Sequence, residues 1–193
     1  PLKPIAAMLR LAPRRIARQT QFTQPGSFAP GTRKLGRVAL LTGCAQPVLD
    51  ADINQASIEL LNRVGVEVVL PEGEACCGSL VHHMGKEEQA LAAARHMVDV
   101  WDREIQSEGL DAIIITTSGC GTTIKDYGHM LRHDAEYAQK AERVSALAKD
   151  VTEYLAGLDL PLVDAPRHLT IAYHAACSLQ HGQKISNPPK DLL

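Results

Sequence analysis

Two adjacent cysteines followed by a glycine, in the stretch Glu74-Ala75-Cys76-Cys77-Gly78-Ser79, constrain this chain more than any other feature. A buried cysteine acts as a small hydrophobe, and packing needs only one at a time. Neighbouring residues on a strand point to opposite faces, so two adjacent thiols reach one object only across a turn, which Gly78 permits. The stretch therefore reads as a site.

Composition narrows the class of molecule. The chain has 193 residues, 45% hydrophobic and 4% aromatic, enough for one good core. A formal charge of −2 gives no global basic field and argues against a nucleic-acid partner. The charge is uneven, however: residues 1–34 hold seven basic side chains and no acid, leaving 13 basic against 22 acidic in the rest. The basic charge is concentrated in one arm. No apolar run approaches the roughly 18 residues that span a bilayer, so no transmembrane segment is expected, and these residues contain no secretory h-region. Five cysteines, an odd count without the spacing of a small secreted scaffold, point to a reducing compartment and to metal or redox chemistry. The opening Pro1 and the ending Asn187-Pro188-Pro189-Lys190 lead us to expect a piece of a longer protein.

Residues 1–36, punctuated by Pro4, Pro13, Pro25 and Pro30, read as a basic Pro/Gly-rich linker with a short helix over Ile5–Ile16. Four apolar runs then predict strands at Val38–Leu41, Val66–Leu70, Ala112–Thr116 and Leu169–Tyr173. Between the first three, helical periodicity is strong: Ile53 to Val64 before Gly65, and Leu91, Ala94, Val98, Trp101 and Ile105 before Gly109. Two or three helices are expected between Thr122 and Leu158, interrupted near His133-Asp134 and Asp150. Strands alternating with helices predict an α/β fold: a Rossmann-like parallel sheet with flanking helices and right-handed crossovers.

In that fold every cysteine follows the C-terminal end of a strand: Cys44, then Cys76 and Cys77, then Cys120, then Cys177. That edge is where open α/β sheets bind ligands. Helix-opening loops lower thiolate pKa there, and Gly43, Gly78, Gly119 and Gly121 leave room for a bulky group. Cys44, Cys76, Cys77 and Cys120 are thus the candidate metal ligands, with the four glycines shaping the pocket. Cys177 is either a further ligand or an ordinary buried cysteine. His82, His83 and His174 lie near the same edge, as tuning groups or as satisfied polar residues.

Cys44, Cys76-Cys77-Gly78 and Cys120 resemble the cysteine-rich CCG domain of heterodisulfide reductase B subunits. Three segments, Leu41–Gln46, Ala75–His83 and Thr117–Gly121, are more closely similar to iron–sulfur subunits of glycolate oxidases. The resemblance covers about residues 37–185. It implies a longer protein with an N-terminal domain carrying two ferredoxin-type clusters, a linker (1–36), a first CCG domain (37–168), and a second repeat opening at 169–193 with Tyr173-His174-Ala175-Ala176-Cys177. The function it implies is electron transfer by an iron–sulfur cluster, from a flavoprotein partner that carries FAD and oxidises glycolate or another 2-hydroxy acid. A cytoplasmic location is implied, compatible with peripheral association at the inner face of the membrane. One position departs from the family: the fuller pattern ends in Cys-x-x-Cys, and Thr117 stands where its first cysteine would be. Four thiolates suffice for an ordinary 4Fe–4S cluster.

Two other classes stay open at this level. Ser118-Gly119-Cys120-Gly121 sits at a strand–turn–helix junction, which suits a cysteine-nucleophile hydrolase with His174 as base. That reading leaves Cys76-Cys77 unexplained. A structural zinc-binding interaction domain also accepts four thiolates, though the chain lacks tight Cys-x-x-Cys knuckles.

Overall fold

The computed structural model describes residues 3–11, 20–158, 160 and 169–193. Five strands form a single sheet in the order β1-β3-β2-β4-β5. They are β1 (Gly26–Phe28), β2 (Gly36–Leu40), β3 (Val66–Leu70), β4 (Ala112–Ile115) and β5 (Ala148–Asp150). β2, β3, β4 and β5 are parallel and β1 runs antiparallel along β3. The helices are α1 (Lys3–Leu11), α2 (Gln46–Leu49), α3 (Asp52–Arg63), α4 (Ser79–His83), α5 (Glu87–Ser107), α6 (Ser118–Lys125), α7 (Tyr127–Met130), α8 (Ala138–Leu147), α9 (Val151–Leu155) and α10 (Pro188–Asp191).

Continuous apolar runs make β2 and β4 the middle of the sheet, because a strand covered on both faces must be apolar on both. Val38, Ala39 and Leu40, and all four residues of β4, are fully buried. Alternation then assigns faces. Val38, Leu40, Val68 and Ile114 pack with Ile58 and Leu61 of α3 and Leu155 of α9. Ala39, Val69, Ile113 and Ile115 pack with Ala94, Met97, Val98 and Trp101 of α5 and with Val144 of α8. The helix after β2 therefore covers the face opposite to the helices after β3 and β4. Chains leaving adjacent strands for opposite faces open a crevice at the C-terminal edge.

The three predicted strands up to Thr116 form as expected, but the fourth does not. Leu169–Tyr173 has no strand pairing, and Leu169, Ile171 and Tyr173 are exposed. Its place beside β4 is taken by Ala148-Lys149-Asp150, in register from Ile113↔Ala148. An apolar alternation becomes a strand only where an edge receives it, and β5 and β1 occupy the two edges. β1 is also new: it lies within the segment read as linker, where Phe22 and Phe28 stack at 5.5 Å and Asn62 Nδ2 donates to the Phe28 carbonyl. Of the predicted Ile5–Ile16 helix, α1 covers the part up to Leu11, and 12–16 lie outside the described residues.

Candidate metal centre

The three loops that carry Cys44, Cys76-Cys77 and Cys120 each begin where a parallel strand ends. After β2, Leu41 N–H still bonds the Ile114 carbonyl at 2.9 Å, then Gly43 at φ 79° turns the chain into exposed Cys44. After β3, Pro71 stops the ladder and Ala75 N–H is held by Met97 Sδ at 3.2 Å before Cys76 and Cys77. Gly78 at φ 80° then starts α4, and a Cβ there would stand 3.0 Å from Ala93 Cβ. After β4, Thr117 is the extended residue before α6, which places Cys120 in that helix's first turn.

Four cross-loop hydrogen bonds tie these loops together pairwise. Glu74 accepts from Thr42 N–H at 3.0 Å, joining the β3 and β2 loops. Gln46 Oε1 accepts from Thr116 Oγ1 at 3.0 Å and Thr117 Oγ1 at 3.3 Å, joining the β2 and β4 loops. Ser79 Oγ donates to the Gly119 carbonyl at 3.3 Å, joining the β3 and β4 loops. Gln46 is itself anchored by fully buried Asn54, whose Nδ2 donates to the Thr42 carbonyl at 3.1 Å. From below, buried Tyr127 donates to the Cys77 carbonyl at 2.7 Å. Glu74, Gln46, Asn54 and Tyr127 are the supporting residues that sequence reasoning missed. Gln46 closes one family-like segment and Glu74 directly precedes another, but nothing in their spacing shows that they bridge loops.

The thiols sit as two neighbouring pairs. Hydrogen bonding to Cys120 and burial push the Cys77 thiol far up, and the same contact lowers Cys120 against the opposing effects of burial and of Cys44 and Cys76. Burial raises Cys44, followed by its hydrogen bond with Cys76 and the charges of Cys76 and Cys77. The Ser79 N–H favours the thiolate of Cys77. The groups acting on these three sulfurs are thus each other, burial and backbone N–H. Beneath them, burial raises the Glu74 carboxyl to about 7 against the Thr42 N–H and the Trp101 indole. The residue is partly exposed, but its second oxygen is enclosed and unpartnered.

The remaining candidates are placed differently. Cys177 is exposed, and it is not among the groups that shift the other thiols. His82, His83 and His174 are exposed, and the His83 ring bonds the Ser79 carbonyl at 2.7 Å. No histidine is among the groups that shift Cys120. Gly119 faces open space, whereas Gly121 is covered by Gln183, 2.6 Å from where a Cβ would be.

The donor set fits a thiolate-bound cluster. Thiolates brought to one sheet edge repel one another, and a cationic centre offsets that repulsion. A cavity of about 290 Å³ opens beside Cys44 and Cys76, bordered by Thr42, Gly43, Pro47 and Glu74. Among the described residues, no three His, Cys, Asp or Glu side chains close around a single ion.

Comparison with known proteins agrees with this chemistry. The chain is 40% identical over 164 residues to the glycolate oxidase iron-sulfur subunit of Escherichia coli K12, covering 85% of this chain and 40% of that protein. It is 28% identical to a probable glycolate oxidase iron-sulfur subunit of Bacillus subtilis, covering 81% of this chain and 35% of the relative. It is 26% identical to lactate utilization protein A of Bacillus licheniformis, covering 81% of this chain and 64% of the relative. The chain thus spans about two fifths of the length of the E. coli protein. No solved structure matches. The cysteine-rich CCG domain model matches residues 38–125, the span that holds the three loops with Cys44, Cys76, Cys77 and Cys120, and this span belongs to the CCG cysteine-rich domain family.

Proposed function

We propose that this chain is part of an iron–sulfur electron-transfer subunit of a flavin-dependent glycolate or 2-hydroxy-acid dehydrogenase complex. The observation that carries the reading is that Cys44, Cys76, Cys77 and Cys120 lie on three loops bonded to one another, with Cys44 beside Cys76 and Cys77 beside Cys120. Those four sulfurs would hold a cluster of the 4Fe–4S type, which when bound supplies a one-electron carrier. The chain's own residues hold the thiolates. Glu74, Gln46 and Ser79 fix the loops, Ser79 N–H donates toward Cys77, and Gly119 leaves one side clear. Substrate oxidation would occur on a flavoprotein partner carrying FAD. Cys177 would begin a second site within the repeat opening at 169–193. No helix among the described residues is long and apolar enough to cross a membrane. The cytoplasmic location, with or without contact at the membrane's inner face, is proposed from the family resemblance alone.

The test is anaerobic purification and reconstitution with iron and sulfide, read by visible and electron paramagnetic resonance spectra. Stoichiometric iron and sulfide, lost in Cys76→Ser and kept in Cys177→Ser, supports the reading. Tight zinc binding in place of a cluster, or one hyper-reactive Cys120, would overturn it.

A further inference from the structure

Cys120 lies in the first turn of α6, and that turn is gripped by a segment from far along the chain. Ser178–Gly182 forms a π-helical turn directly after Cys177 and runs against α6. Ser178 Oγ donates to Ser118 Oγ at 2.7 Å, Thr122 Oγ1 to the Ser178 carbonyl at 3.2 Å, and Gln183 Nε2 to the Ser118 carbonyl at 2.9 Å. Buried Leu179 and Ile185 anchor the same segment.

The surfaces are shaped for each other. Gly121 leaves the space that Gln183 fills, and Gly182 brings its backbone so close that a Cβ would meet Thr122 Oγ1 at 3.1 Å. Lys184, next to Gln183, holds φ 61°, the only positive value at a non-glycine position among the described residues. Such a conformation persists where surrounding contacts over-determine it, and single π turns concentrate at functional positions. A merely trailing segment would need none of these.

We propose that Gln183 is a positioning residue for the cysteine site. Its amide, seated over Gly121, fixes the opening turn of α6 and so the direction in which Cys120 meets Cys77. The Cys177 turn is then a clamp on the Cys120 helix, and the two cysteine-bearing segments are one mechanical unit. The proposal deepens the cluster reading and rests on it only for its consequence. The Cys77–Cys120 contact itself can be read without metal.

The experiment uses the full chain, metal-free and reduced, in a Cys44→Ser/Cys76→Ser background. Diamide-driven formation of the Cys77–Cys120 disulfide is followed by peptide mass spectrometry. Gln183→Leu removes the amide and keeps its bulk. Gly121→Ala pushes the amide aside while adding a better helix former. Each should slow the disulfide by about tenfold, since small misplacements of reacting groups have large rate effects. The double variant should be no slower than Gln183→Leu, as expected for residues acting through one contact. Gly121→Ala should show no loss of thermal stability, and it decides the matter alone if Gln183→Leu does not fold. In chains with all five cysteines, reconstituted iron per chain should fall in parallel. Rates within about twofold of the parent for both variants would overturn the proposal whether or not a cluster forms. Slowed disulfide formation with no cluster in the wild type would instead overturn the cluster reading and keep the clamp.

Discussion

Gly78 combines two demands that few other residues could meet. Its backbone is left-handed at φ 80°, and α5 passes so closely that an added Cβ would press on Ala93 and the Ala90 carbonyl. Gly78→Ala should therefore cost about 1–2 kcal/mol from conformation alone, with the contact adding to it, read as a lowered urea midpoint. Tyr127 acts from the other side of the same turn. Its buried hydroxyl donates to the Cys77 carbonyl, and Tyr127→Phe leaves that acceptor unpaired at a cost of about 1–3 kcal/mol in chemical denaturation. Together the two residues hold the backbone under the vicinal thiols in the one conformation that sends them to different partners.

At the scale of elements, α5 carries the core. Ala90, Ala94, Met97, Val98 and Trp101 recur at helical spacing, and all are fully buried against β2, β3 and β4. Trp101→Ala should cost about 3–5 kcal/mol by calorimetry or denaturant titration, because the site above it cannot collapse into the space left. The sheet's opposite end is held by charge. Arg37 Nη2 pairs with Glu104 at 2.7 Å and Nη1 donates to the Gly109 carbonyl at 2.9 Å, fixing β2 to the end of α5. Beside it, Lys34, then Ser27 and Arg37, hold the Glu67 carboxyl below its ordinary value near 4.5. A depressed carboxylate contributes stability above its unfolded pKa, and that contribution is lost as pH falls through the folded value. Lys34→Met should therefore lower the urea midpoint at neutral pH, with the difference from wild type shrinking below pH 4.5.

For the whole molecule, the crevice follows from the strand order. β2 sends its helix to one face while β3 and β4 send theirs to the other, so three loops meet over the sheet edge. Four thiols on three separate loops cross-link the fold when they share a group. A ligand that binds only the folded state raises apparent stability by mass action. The reconstituted chain should therefore unfold at a higher temperature than the metal-free chain. Removing iron with a chelator should return it to the metal-free midpoint, and Cys76→Ser should abolish the difference.

The sequence alone determined the parallel α/β frame as far as β4, since apolar runs and helical periods are local signals set by burial on one or both faces. It also marked the four cysteines, because vicinal thiols before a glycine serve packing poorly. Only the tertiary structure decided the rest. Leu169–Tyr173 has the better strand pattern, yet Ala148–Asp150 is the strand, because pairing depends on which segment reaches the open edge beside β4. Gly26–Phe28 is too short to signal itself and exists through its pairing with β3. Gln46, Glu74 and Gln183 are polar residues of unremarkable spacing. Their bonds to Thr117, Thr42 and Ser118 cross 71, 32 and 65 residues, and such contacts form only once the sheet has brought distant loops together.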